Sequence, residues 1–189
     1  MATVRKAWVD ESVRRSGVLE PMYLLGATIS STQRYEVTSD VLKRYAPKGN
    51  KLHWRDLGDR GKQRVTDGLS TLDLEHVVVV RTLLAGMNEE RARGLCIERL
   101  MWELENREVV QVTFECRSPT QDQTDLRRID GLRSRKVLGP SIRADWVPGR
   151  TEPLLWASDV LVGLVGDTKT GDAELLPSEL RAKLTEIVL

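Results

Sequence analysis

Alternating and continuous apolar runs predict a series of strands and helices along the chain. Strand patterns lie at 4–10, 22–30, 75–83, 109–116 and 141–147, whereas helical spacing of apolar residues lies at 39–46, 55–72, 89–107, 122–135 and 177–188. Pro153 opens one more helix, and residues 166–176 then read as a loop. The first two strands suggest an antiparallel hairpin. The order of elements predicts one α/β domain over residues 1–189, with a mixed sheet of about five strands flanked by helices.

The helix that follows Pro153 contains a carboxylate in an apolar setting. Its sequence LLWASDVLVGLV, residues 154–165, places Asp159 among leucines, valines and a tryptophan, with Ser158 as its polar neighbour. A buried carboxylate without a partner costs several kcal/mol or takes up a proton. The pattern therefore predicts a partner for Asp159 elsewhere in the chain.

Composition narrows the function classes only slightly. The 189 residues are 40% hydrophobic and 30% charged, with a formal net charge of +1, so bulk charge requires neither a nucleic-acid nor a membrane partner. The N-terminus lacks the apolar core of a signal peptide, and no run reaches the ~18 apolar residues of a membrane span. We therefore expect a cytoplasmic protein with no membrane partner. The 2 cysteines and 2 histidines lack zinc-site spacing.

Three carboxylates lie near the ends of predicted elements. Asp10 ends the first strand, Glu115 lies near the end of the fourth, and Asp159 lies in the late apolar helix. If the first and fourth strands are neighbours, Asp10 and Glu115 can project from the same face. A helix packed across that face could bring Asp159 to the same point.

Clustered carboxylates repel one another, so shared protons, arginines or divalent cations must offset their charge. Arg55 and Arg117 are nearby in sequence, and a purely structural charge network is one interpretation. Arg117 either holds a substrate phosphate or neutralises Glu115. The other interpretation is a magnesium or manganese site, because hard ions favour oxygen ligands and two such ions can support phosphodiester cleavage.

Several short motifs, in this order, resemble the DUF-3800 family: DES at residues 10–12, LHW at 52–54, an acidic late strand and an A-S-D-hydrophobic helix at 157–160. The resemblance extends from Trp8 to about Gly166. It implies a ribonuclease H-like fold and a metal-dependent nuclease activity. Asp10, Glu115 and Asp159 match the family's acid on the first strand, acid on an adjacent strand and acid on a late helix. The resemblance thus implies that these three residues hold Mg²⁺ or Mn²⁺.

The chain departs from this family at Lys51, which lies two residues before His53. Members of the family often have an acidic residue at this place. A protonated lysine cannot bind a cation, so a fourth acidic ligand is absent or comes from elsewhere. Glu11 points to the opposite face of an extended strand. Other candidates, each more commonly an ordinary surface acid, are Asp56, Glu98 and Glu103.

His53 and Trp54 also have two interpretations each. In the functional interpretation, His53 positions a water molecule, contacts a phosphate or shuttles a proton. In the structural interpretation, it caps the following helix or packs on Trp54. Trp54 either stacks on a base or packs in the core.

The leading hypothesis is a nuclease acting on DNA or RNA, with Asp10, Glu115, Asp159 and His53 as catalytic residues and with Arg117 and Arg55 as substrate-binding residues. One alternative is a catalytically weakened module that binds nucleic acid or protein, for instance in a mobile-element or defence system. Another alternative is a small phosphate-ester hydrolase. A homodimer is one option for the assembly.

Overall fold

The fold is built on six strands in the computed structural model, which describes residues 4–47, 50–171 and 176–189. The strands are β1 (Arg5–Arg14), β2 (Met22–Ser31), β3 (Glu75–Thr82), β4 (Val109–Glu115), β5 (Arg143–Val147) and β6 (Leu184–Val188). The helices are α1 (Tyr35–Tyr45), α2 (Asp59–Thr71), α3 (Glu89–Asn106), α4 (Pro119–Ser134), α5 (Pro153–Lys169) and α6 (Ser178–Arg181). Short 3-10 segments cover Thr32–Arg34, Trp54–Asp56 and Gly149–Thr151.

These strands form one mixed sheet in the order β5-β4-β1-β2-β3-β6. β1 and β2 form the predicted antiparallel hairpin, in which Asp10 lies opposite Gly26. β4 is parallel to β1, with Val9 opposite Phe114. The first and fourth strands are therefore neighbours, which was the condition for bringing their acids together.

The C-terminal part of the chain differs from the sequence prediction. The closing helix predicted at 177–188 is wrong beyond Arg181, because Leu184–Val188 alternates in the manner of a strand and pairs in parallel with β3. This sixth strand covers the edge that β3 would otherwise expose. The loop predicted at 166–176 is also wrong at its start, since α5 continues to Lys169. Residues 172–175 of that predicted loop lie outside the described part of the chain.

The two faces of the sheet are covered by different helices. Ala7 and Val9 of β1 join a core with α3 and α4, whereas Trp8, from the alternate position, packs among residues of α1, α2 and α5. This is the two-residue periodicity of a strand covered on both sides. Asp10 belongs to the same set of alternate positions as Trp8, so it faces the α5 side.

Helix α5 lies across β1 and β2 and is buried on all sides from Pro153 to Gly166. Its Ser158 hydroxyl donates to the Trp8 carbonyl at 2.6 Å, which fixes the helix against β1. Burial on every side explains why this helix is apolar all round rather than amphipathic. None of the described helices is both long enough and apolar enough to span a membrane.

Candidate functional site

Asp10 and Glu115 belong to neighbouring strands, and a lysine lies between their carboxylates. Lys51 Nζ donates to Glu115 Oε2 and also lies 3.6 Å from Asp10 Oδ2. The other Asp10 oxygen, Oδ1, accepts the Glu11 backbone N–H at 2.8 Å. Two carboxylates from neighbouring parallel strands thus share one ammonium group.

Asp159 finds its partner in the segment that follows this lysine. The Trp54 backbone N–H donates to Asp159 Oδ2 at 2.7 Å, and His53 Nδ1 lies 3.1 Å from Asp159 Oδ1. The latter contact has ion-pair distance without the angle of a hydrogen bond. Asp159 is only 6% exposed, so these contacts replace the water that a surface carboxylate would have.

The local electrostatics leave the site with unbalanced negative charge. Burial, followed by the charge of Glu115, raises the pKa of Asp10 well above its usual range, although Lys51 acts in the opposite direction. Burial tends to lower the pKa of Lys51, but the charge of Asp10 and the hydrogen bond to Glu115 outweigh it and raise that pKa. One ammonium group therefore does not fully offset the acids around Asp10.

The donor chemistry fits a hard divalent cation, because Asp10, Glu115 and Asp159 offer oxygen ligands only. The arrangement is nevertheless not that of a ready ion cage. Among residues 4–47, 50–171 and 176–189, no group of three or more His, Cys, Asp or Glu side chains is gathered closely enough to hold an ion. Lys51 lies between two of the acids, and the third already accepts from Trp54.

An open cleft of about 290 Å³ lies beside Asp159. Its wall is made by the last residues of β1, the 3-10 segment and α5, namely Glu11, Ser12, Val13, Arg14, His53, Trp54, Arg55, Asp159, Val162 and Gly163. Arg55 Nε donates to His53 Nε2 at 3.2 Å, so the neutral His53 ring carries its proton on Nδ1, facing Asp159. The cleft therefore joins a buried acid, a histidine and two arginines.

The remaining predicted residues lie further from this point. Arg117 contacts Glu90 at 2.5 Å and Asp125 at 3.1 Å, and the cation that contacts Glu115 is Lys51 instead. Glu11 points to the other face, as predicted, where Arg93 Nη1 donates to it at 2.7 Å.

The other candidate acids are also engaged or exposed away from this point. Glu98 lies 3.6 Å from Arg135, Glu103 pairs with Arg99 at 2.5 Å, and Asp56 is exposed in the 3-10 segment.

Two supporting residues escaped the sequence analysis. Asp167 accepts from the Trp54 indole N–H at 2.8 Å, from Lys62 at 2.7 Å and from Arg14 at 2.8 Å, so it fixes the tryptophan beneath the site. Its only sequence signal was its position about two helical turns after Asp159. The sequence analysis missed this signal because it assigned residues 166–176 to a loop, whereas α5 continues to Lys169. Gly149 leaves room for Glu115, because a Cβ there would lie 2.3 Å from Glu115 Oε1.

No family model and no curated protein matches the chain. Solved structures do. The chain is similar to ribonuclease HII of Archaeoglobus fulgidus in its complex with PCNA (TM-score 0.61, 11% identity, 90% of this chain and 77% of that chain). It is also similar to Bst ribonuclease HIII in complex with Mn²⁺ (TM-score 0.60, 12% identity, 90% and 54%) and to ribonuclease H2 from Pyrococcus horikoshii OT3 (TM-score 0.53, 11% identity, 95% and 83%).

These similarities confirm the predicted ribonuclease H-like fold. At identities of 11–12% they establish the fold alone, and the chain spans about half the length of the ribonuclease HIII chain. Membership of the DUF-3800 family stays a prediction, as do the cytoplasmic location and the homodimer.

Proposed function

We propose that the chain is a nuclease that depends on a divalent metal ion and cleaves phosphodiester bonds of DNA or RNA. The observation that carries this proposal is the proximity of acids from three distant segments, which lie close enough for the charges of Glu115 and Asp159 both to act on Asp10. Asp10 and Glu115 share Lys51 between neighbouring strands, and Asp159 lies on the helix packed over them, beside an open cleft. The cleft gives a substrate access to Asp159, and the raised pKa of nearby Asp10 is a perturbation that is common among the acids of functional sites.

Asp10, Glu115 and Asp159 would hold the ion, which when bound would activate water and stabilise the leaving oxygen. The chain itself fixes Asp159 rigidly, because the Trp54 N–H and His53 both face its carboxylate. Arg55 can leave His53 for a substrate phosphate, which matches its planar set of donors. His53 Nε2 would then be free to accept a proton from an attacking water.

The substrate class follows from the residues around the cleft rather than from net charge. Arg14 and Arg55 line it, and Arg14 is itself held by Asp167 and the Gly163 carbonyl. Arg55 is therefore the side chain available for a phosphate. An extended polymer could run past this open cleft, which supports a nucleic acid as the substrate.

The test compares the purified wild type with Asp10→Asn and Asp159→Asn on labelled RNA, DNA and RNA–DNA hybrid in the presence of Mn²⁺. We expect the wild type to cleave at least one substrate and each variant to lose at least about 100-fold in rate, because removing a ligand charge removes ion binding. Asp130→Asn is the matched control, since Asp130 is exposed and pairs only with Arg133 on α4 among the described residues. Equal cleavage by all four proteins would refute the proposal.

A second candidate is a nucleic-acid-binding module without catalysis, and the position of Lys51 favours it. An ammonium group already lies between two of the acids, so the fold has a metal-free way to balance them. Binding of the same labelled substrates with no cleavage at millimolar Mn²⁺ would support this candidate over the nuclease.

A further inference from the structure

Lys51 lies in the irregular segment that precedes the 3-10 segment starting at Trp54. Its side chain is only 19% exposed, although lysine is normally a surface residue. The segment continues through His53, which has extended backbone angles, into the 3-10 segment that starts at Trp54. Lys51 contacts Asp10 and Glu115 while His53 contacts Asp159, so both side chains face the candidate site.

The contacts of Lys51 are those of a bound cation rather than of a surface salt bridge. Its ammonium touches Glu115 Oε2 and lies 3.6 Å from Asp10 Oδ2, whose side chains are 24% and 10% exposed. Each is the carboxylate of a different strand, and they would repel one another without a positive charge between them.

The surroundings direct both carboxylates toward this lysine. Asp10 Oδ1 is occupied by the Glu11 N–H, which leaves Oδ2 for Lys51. Gly149 has no side chain that would push Glu115 aside, since a Cβ there would meet both of its carboxylate oxygens within 2.7 Å. The backbone at Glu11 and Gly149 therefore helps to set where the two carboxylates that contact the ammonium lie.

We propose that Lys51 is a built-in cation that occupies the position of a divalent ion between Asp10 and Glu115, so that an ion can bridge these acids only after the ammonium has left. The inference rests on the proposed function for the use of that ion, but the competition between ammonium and metal stands without catalysis. The neighbouring anchor at Trp54 keeps the backbone of this segment in place when the ammonium moves. Trp54 is held by Asp159 and Asp167, so the Lys51 side chain can turn away while the backbone stays in place.

The test uses the full chain as wild type, Lys51→Met and Lys51→Arg. Mn²⁺ binding is measured by calorimetry, and melting temperature is measured in EDTA and in Mn²⁺. We expect Lys51→Met to bind Mn²⁺ at least about tenfold more tightly than the wild type, because the competing charge is gone. In EDTA it should melt at least about 3 °C lower, since the buried Asp10 and the half-buried Glu115 lose their partner, and Mn²⁺ should restore most of that loss.

Lys51→Arg keeps the charge and should bind Mn²⁺ as weakly as the wild type. Lys43→Met is the matched control, because Lys43 is an exposed lysine paired with Asp40 at 3.4 Å. It should change neither Mn²⁺ affinity nor melting temperature by a measurable amount.

If Lys51→Met binds Mn²⁺ no more tightly than the wild type, the built-in cation is refuted. This holds even if Asp10→Asn abolishes Mn²⁺ binding in both the wild type and Lys51→Met, a result that would support the metal site alone. If Lys51→Met gains Mn²⁺ affinity but neither protein cleaves nucleic acid, the nuclease proposal fails and the built-in cation stands. If Lys51→Met does not fold, an NMR titration of the wild type tests the same inference. Titration with Mg²⁺ should shift the NMR signal of the Lys51 side-chain Cε while that of Lys43 stays, and an unchanged Lys51 signal at saturation overturns the inference.

Discussion

Gly163→Ala places a methyl group where α5 meets Trp54. In an exposed helix interior, alanine is more stable than glycine by about 0.5–1 kcal/mol. Here the added Cβ would lie 2.2 Å from Trp54 Cδ1 and 2.3 Å from Cγ. Normal carbon contacts start near 3.5 Å, so Trp54 or the helix has to move by roughly 1.3 Å.

Trp54 has little freedom to make that movement. It is 2% exposed, its backbone N–H holds Asp159, and its indole N–H holds Asp167. Overpacking of this kind costs about 1–3 kcal/mol, and the upper end applies because three Trp54 atoms lie within 2.7 Å of the new carbon. After the helix gain, we expect a net loss of about 2 kcal/mol, or about 4–8 °C in melting temperature.

Urea unfolding measures this change, with Gly131→Ala as the matched control. Gly131 is also inside a helix, α4, but nothing lies within 4 Å of the point that a Cβ would occupy there, so alanine should stabilise by up to about 1 kcal/mol. The two variants should therefore differ in sign. Equal stability of the two variants, together with an unchanged cleavage rate for Gly163→Ala, would show that Trp54 is not held as tightly as its contacts imply.

Three further predictions concern buried charge. Arg93→Met removes the 2.8 Å contact to the buried Asp125 carboxylate, which keeps Arg117 as a partner at 3.1 Å. It should lower the free energy of unfolding by about 2 kcal/mol in urea titrations, and a loss below about 1 kcal/mol would contradict this. Burial lowers the pKa of His76 to about 3, so between about pH 6.5 and pH 3 the unfolded chain binds a proton at this histidine and the folded chain does not. Stability should therefore fall by up to about 1.4 kcal/mol per pH unit as the pH is lowered through this range, and His76→Gln should remove that slope. Burial and the neighbouring Glu115 carboxylate raise the pKa of Asp10, so its stabilising contribution is present at the ordinary carboxylate pKa and is lost as pH rises through the folded-state pKa. Asp10→Asn should therefore gain stability relative to the wild type as pH is raised from the ordinary carboxylate range, and a difference that stays constant with pH would count against this.

The parts of the fold with strong periodicity could be predicted from the sequence. The valine strand β3 and the amphipathic helix α3 have clear patterns, and the structure confirms them. The hairpin of β1 and β2 is also confirmed, although β1 alternates only weakly and continues past its predicted end at Asp10 to Arg14. β6 could not be found in this way. It has five residues, follows a helical turn, and acquires its strand form by pairing with β3, more than 100 residues earlier in the chain.

The candidate site likewise has one part that the sequence could predict and one part that it could not. Strand alternation could predict that Asp10 and Glu115 share a face only on the condition that the first and fourth strands are neighbours, and the structure supplies that pairing. The partner of Asp159 had no sequence signature, because it is the backbone N–H of Trp54, which every residue except proline possesses. The contact of Lys51 with both acids likewise depends on the path of a connecting segment, and no periodic pattern specifies that path.

The most direct measurement of the central claim is anomalous diffraction from wild-type crystals soaked in millimolar Mn²⁺. We expect a manganese peak at coordination distance from the Asp10 carboxylate, with the Lys51 ammonium turned away from Asp10 and Glu115. Saturating Mn²⁺ that leaves Lys51 in place and gives no peak at any of Asp10, Glu115 or Asp159 would contradict the claim that these three acids form a cation site.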